Sequence, residues 1–244
     1  MGDLADVYEA TRRSISGIVS ELAPAELERR VPATPEWTIK DVVAHLAGDV
    51  SCVLAGDFPA EFFMGFGEEA AVAVLNSWTA DQVTSRDGRP LQELLAEWDK
   101  SAGRLTGMMR GEEAWPEGMP PFVDRVLVTD VGVHLQDLCG ALGLERDRDG
   151  APVRIGLGGY VAMMDLRLRQ AGEAALRVEV EDKAWTPGGD EPGATVRSDR
   201  WELFRAMSGR RNPEQIRAYE WDGDPEPYLE YFYPYGIRSE ALVE

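Results

Sequence analysis

The chain has 244 residues, 44 of them Asp or Glu against 25 Lys or Arg, for a net charge of −19. That length holds one large or two modest domains, each able to bury a core. So acidic a chain neutralises neither a phosphate backbone nor an anionic bilayer, which argues against nucleic-acid and membrane-surface binding.

Leu4, Val7, Thr11, Ile15, Ile18, Val19 and Leu22 recur at three- and four-residue steps and predict an amphipathic first helix. Gly2 occupies a myristoylation position, but Asp3 and Asp6 make that signal unattractive. Pro24 and the segment 31–36 break the pattern. In Thr34-Pro35-Glu36-Trp37-Thr38-Ile39-Lys40-Asp41-Val42-Val43-Ala44-His45-Leu46, Thr38 and Asp41 read as a capping pair that opens a second helix, running to about Ala55. Val42, Val43 and Leu46 give it an apolar face, so His45 sits inside a largely apolar helix and needs a hydrogen-bond partner or a metal.

An irregular aromatic loop with Phe62, Phe63 and Phe66 begins at Asp57-Phe58-Pro59, and either lines a substrate mouth or covers a bundle end. Helical patterns follow from Glu68 to about Thr84, with Ala70, Val74 and Trp78 on one face, and through Leu91, Leu94, Leu95, Trp98, Leu105 and Met109. A loop over 111–121 carries Pro116, Pro120 and Pro121. The next helix, 122–143, is terminated by Gly143. These helices predict an up-and-down bundle with a Pro-rich crossover before its last member.

That last helix holds Asp130-Val131-Gly132-Val133-His134-Leu135-Gln136-Asp137 and the second of the chain's two histidines. Asp130 and His134 are four residues apart and share a helix face, with Asp137 on the same side. This spacing suits a solvated charge pair as well as a chelate. With His45 arriving from another helix, three ligands can converge and leave one position open, the pattern of a catalytic zinc site rather than a structural one.

After the charged link 145–150 the periodicity changes. A helix is predicted from about Val153 to Gln170, with Gly156-Leu157-Gly158-Gly159 read as close helix packing. Leu176 to Glu181 alternates as a half-buried strand, 187–190 is a turn, and Ala194 to Arg197 is a returning strand. Ser198 or Asp199 caps a helix ending at Gly209, Gln215 to Trp221 is read as a strand, 222–224 as a turn, and Glu226 to Phe232 as a short helix. The expected organisation is α+β: a helical bundle over 1–149 and a small α+β domain over 150–244.

The run Trp37 to Leu46, followed by Asp130 to Leu138, resembles the mycothiol-dependent maleylpyruvate isomerase family, whose amino-terminal domain is a DinB-like metal-binding four-helix bundle. The resemblance implies that His45, Asp130 and His134 bind a metal, most simply zinc, and that Asp137 supports His134 from behind. The family usually has Glu where this chain has Asp130, one methylene shorter. The part after residue 150 is similar in layout to the sterol-carrier-like domain of that family, and Asp199 to Phe204 with Ser208-Gly209-Arg210-Arg211 matches its helix ending in Gly-Arg-Arg. The family uses an arginine there against an anionic substrate, which Arg210 or Arg211 would supply. Its chemistry activates the thiol of mycothiol, which adds to an unsaturated acid. The implied function is a zinc-dependent, mycothiol-using isomerase or S-transferase acting on a small, unsaturated or anionic substrate, as a monomer or homodimer.

Two other readings stand beside it: a non-catalytic small-molecule-binding or regulatory protein that keeps the metal, and a metal-free relic in which Asp130 no longer coordinates. Cys52, seven residues after His45, returns to the same helix face and as a fourth ligand would close the site; Cys139 points elsewhere. Two cysteines make no disulfide framework, no amino-terminal signal is visible, and no apolar run nears the about 20 residues of a spanning helix, so a cytoplasmic protein is expected. No P-loop, no dinucleotide Gly-x-Gly-x-x-Gly after a strand and no Gly-x-Ser-x-Gly occurs.

Overall fold

The computed structural model describes residues 3–65 and 67–244; Met1, Gly2 and Phe66 lie outside them. Four long helices, α1 (Leu4–Ser20), α3 (Ile39–Leu54), α6 (Leu91–Met109) and α7 (Val123–Leu142), form a bundle around one apolar core that includes Ile15, Val42, Leu94, Trp98, Leu127 and Leu138. Helix α1 packs against α6 and α7, and so does α3. Sequence neighbours α1 and α3, and likewise α6 and α7, therefore face each other across the bundle diagonal, and the second pair is joined by the Pro-rich crossover. This arrangement lays α3 beside α7, the two helices that carry the histidines.

Between α1 and α3, a single turn α2 (Pro24–Leu27) leads into a small antiparallel hairpin of β1 (Arg30–Val31) and β2 (Thr34–Thr38), where only a break was expected. Thr38 caps α3 as its sequence implies: its Oγ1 accepts from Asp41 N at 3.1 Å, while Thr38 N donates to Asp41 Oδ2 at 2.8 Å. The aromatic stretch is not wholly irregular, since α4 (Ala60–Met64) forms within it. Helix α5 (Glu69–Thr84) packs on α3, but its predicted apolar face does not enter the core: Ala70 and Val74 are exposed and Trp78 is half-buried. Gly143 ends α7 in the left-handed region at φ 67°, a conformation that favours glycine.

Helix α8 (Ala151–Ala171) lies against α7 and carries the second cluster, in which Leu157, Met164, Leu176, Val196, Leu203, Phe204 and Phe232 are buried. A Cβ on Gly156 would stand 2.5 Å from Phe204 and 3.1 Å from Thr129, so this glycine does permit close packing. Gly158 has nothing within 4 Å, and the packing reading does not extend to it. The sheet runs β4 (Lys183–Trp185), β3 (Ala175–Val180), β5 (Pro192–Arg197), β6 (Glu220–Asp222). Strand β5 pairs parallel with β3, not antiparallel as a simple return would give, because β4 folds back first on the other edge of β3.

Asp199 caps α9 (Arg200–Met207), its carboxylate accepting from Glu202 N at 2.7 Å. The stretch expected as one strand from Gln215 divides instead into α10 (Pro213–Arg217), started by an Asn212–Gln215 capping box, and the short β6. A 3-10 helix spans Glu226–Phe232. Helical bundle and small sheet together make the fold α+β. Among the described residues, no helix is long and apolar enough to cross a membrane.

Candidate metal centre

Helices α3 and α7 bring His45, Asp130 and His134 together; one ligand atom of each lies within 4.8 Å of the others. His45 Nε2 is 3.3 Å from Asp130 Oδ2, and His134 Nε2 is 3.6 Å from Asp130 Oδ1. Two ligands held at about 2.0–2.1 Å from a tetrahedral zinc stand about 3.3 Å apart, so the three groups are close enough to share one ion. Asp130 Oδ2 is buried and makes no hydrogen bond. A buried carboxylate oxygen without a donor is costly, and a cation at this point removes that cost. The donor set fits a zinc ion with one position left for a small ligand. The missing methylene of Asp130 does not keep it from the site, because α7 places its carboxylate between the two imidazoles.

Each histidine is oriented from behind. Gln82 Oε1, from α5, is 2.6 Å from Nδ1 of His45, which sets that nitrogen as donor and turns Nε2 into the site. Asp137 Oδ2 is 3.0 Å from Nδ1 of His134, although the ring nitrogen is not aligned for a regular hydrogen bond. Trp37, on β2, covers both rings at centroid distances of 4.9 Å and 5.9 Å. Burial opposes a charge on Asp130, but His134 and His45 more than offset it and hold the acid below its ordinary range. For His45 burial works against the protonated ring, and the neighbouring Asp130 outweighs it and raises the pKa.

Asp137 also anchors two arginines. Arg210 donates to it from Nε to Oδ1 at 3.1 Å and from Nη2 to Oδ2 at 2.7 Å, and Arg205 Nη2 lies 2.7 Å from Oδ1. Burial alone would raise its pKa; Arg210 and Arg205 drive it well below the carboxylate range. Arg210 lines the cavity beside the metal cluster. Arg211 does not: it pairs with Glu202 at 2.7 Å and with Glu244 at 3.0 Å, and stacks over Trp201.

The cluster opens on a cavity of about 490 Å³ whose walls come from both halves of the chain, including Phe58, Phe62, Phe63, Trp78, Phe122, Tyr160 and Tyr235. Of the aromatic stretch, Phe62 is buried and stacks on Tyr235 at 5.5 Å, while Phe58 stacks on Phe63 at 4.9 Å. Asp49, one helical turn beyond His45, also lines this cavity and is only 7% exposed. Burial first, and then Asp130, push its pKa up to about 8, with His45 pulling the other way. The i,i+4 spacing of His45 and Asp49 repeats that of Asp130 and His134 and was visible in the sequence; Gln82, 37 residues from its partner, left no such signal. Cys52 belongs neither to the candidate metal cluster nor to the cavity wall, and burial with Asp57 pushes its thiol up to about 11.

The family described as the mycothiol maleylpyruvate isomerase N-terminal domain matches residues 8–139. The chain belongs to this family. Its matched region contains His45, Asp130, His134 and Asp137. Two crystal structures of mycothiol-dependent maleylpyruvate isomerase, one of them a point mutant, have the same fold at 17% identity. The mutant aligns with a TM-score of 0.58 over 90% of this chain and 91% of its own, the other with 0.52 over 85% and 88%. The likeness therefore continues past the family match into the α+β part. No curated protein matches the chain.

Proposed function

We propose that this member of the mycothiol maleylpyruvate isomerase family is a zinc-dependent enzyme that uses mycothiol, as isomerase or S-transferase, on a small organic electrophile. The observation that carries the reading is the buried Asp130 carboxylate, its Oδ2 without a regular hydrogen bond, set against two imidazoles whose outer nitrogens face Gln82 and Asp137. Bound zinc would stabilise the thiolate form of a thiol at neutral pH. His45, Asp130 and His134 are the residues that would hold it. Gln82 and Asp137 keep the two rings in register, Trp37 shields them, and Asp49 stands in the cavity as a further carboxylate. Arg210 is fixed against Asp137 and presents a cationic edge to the cavity; Arg211 braces α9. The metal-bearing bundle, 1–149, and the α+β part, 150–244, are proposed as the two units, meeting at the cavity, in a cytoplasmic protein whose thiols stay reduced.

Calorimetric titration of zinc into chelator-treated protein tests this directly. One equivalent should bind, and His45→Ala and His134→Ala should each lose most of the affinity. Equal binding by the parent and both variants would refute the site.

A further inference from the structure

Resting on the thiol-enzyme reading above, we infer that the cavity takes an aromatic conjugated electrophile with at most one carboxylate, and discriminates against compact dicarboxylates. Volume is the first ground. A cavity of about 150 Å³ holds a benzene ring, and this one, at about 490 Å³, has room for such a ring and more beside the metal cluster. The second is the wall. Phe58 stacks on Phe63 at 4.9 Å, Phe63 meets Phe122 at 5.6 Å, and Trp78 stands edge-on to Phe58 at 6.4 Å. Together these rings form an aromatic chamber that favours a flat apolar body through offset and edge-to-face contacts.

Charge is the third ground. Arg210, the deeper of the cavity's two arginines, already gives Nε and Nη2 to Asp137 and Nη1 to Ser208 O at 2.6 Å. Its charge is compensated, so it cannot offset two substrate carboxylates. Arg125 is the other cationic side chain on the wall; it is exposed and makes no ion pair among the described residues. It stands three residues after Phe122, one helical turn along α7, at the mouth of the aromatic chamber. A single carboxylate engages Arg125 while the ring occupies the phenylalanines and the conjugated double bond points toward His45 and His134. In the addition, sulfur bonds to the β-carbon, the π pair moves to the α-carbon, and the thiol's proton ends there, so the adduct keeps every atom of both reactants.

The test is calorimetry on the zinc-loaded full chain, without thiol, using cinnamate, the neutral enone benzylideneacetone, and maleate as probes. Cinnamate and benzylideneacetone should each bind at least about tenfold more tightly than maleate. Phe63→Ala should erase most of that preference, and Phe122→Ala, at a side chain already 41% exposed, should weaken it without endangering the fold. Arg125→Gln should weaken cinnamate and leave benzylideneacetone unchanged. Maleate binding as tightly as cinnamate, or a preference untouched by both phenylalanine substitutions, would overturn the inference. Because no thiol is present, an aromatic preference in a protein that fails to engage mycothiol upholds the ligand class and removes only the thiol chemistry.

Discussion

Gln82 Oε1 lies 2.6 Å from Nδ1 of His45, and this contact, made by a helix outside the four-helix ring, decides which imidazole nitrogen faces Asp130 and the candidate metal site. Groups that fix a ligating histidine from behind are worth about 10–100-fold in metal affinity. Gln82→Leu should therefore weaken zinc binding by that factor while thermal unfolding of the metal-free protein moves little. Gln82→Glu, which keeps an acceptor, should retain most of the affinity. Competition against a chromophoric chelator measures both.

Asp137 is a heavier substitution than its contact with His134 alone suggests. Asp137→Asn removes the carboxylate partner of Arg210 and one of the two carboxylates that hold the fully buried Arg205, whose other partner is Glu244. Uncompensated buried charge costs about 3–5 kcal/mol, so urea unfolding should show a loss of that order together with weaker zinc binding. An intact stability with zinc affinity alone reduced would mean that the arginines find other partners.

The two neighbouring arginines should separate cleanly. Arg211→Gln breaks the pairs with Glu202 and Glu244 and should lower the unfolding midpoint, leaving the affinity of cavity ligands within about twofold. Arg210→Gln should alter ligand affinity as well, since Arg210 lines the cavity.

Asp49 predicts a pH dependence of the metal-free protein. Its folded pKa is pushed up to about 8, against about 3.9 for an unfolded aspartate. The folded state then holds the proton more tightly than the unfolded one. The stability linked to this group is full below about pH 4, declines as pH rises, and is lost once pH passes the folded pKa near 8. Asp49→Asn should flatten that decline, so denaturant unfolding from pH 5 to 8 should show the variant gaining on the parent. A parallel pair of curves would contradict the assignment.

Much of this was legible in the chain because it rests on local rules. The caps at Thr38 and Asp199, the glycine stop at 143 and the apolar steps of α1, α3, α6 and α7 act within one or two turns. The two histidines were legible as a pair for want of any others. What escaped depends on tertiary placement. The parallel pairing of β3 with β5 follows from the intervening β4, whose three residues carry no pattern. Gln82 and Asp49 acquire a role only when α5 and α7 pack against α3. Val74 matches a helical apolar face that the fold leaves exposed, since α5 covers one side of α3 and shares little of the core.

The central claim is that the His45, Asp130 and His134 site accepts a thiolate at an open position. Replacing zinc with cobalt and titrating mycothiol tests it, because sulfur bound to cobalt gives a near-ultraviolet charge-transfer band. The band should grow with mycothiol in the parent and equally in Cys52→Ala, and be absent in His134→Ala. No band at saturating mycothiol in fully loaded protein, or a band present before thiol is added and lost in Cys52→Ala, would contradict the account.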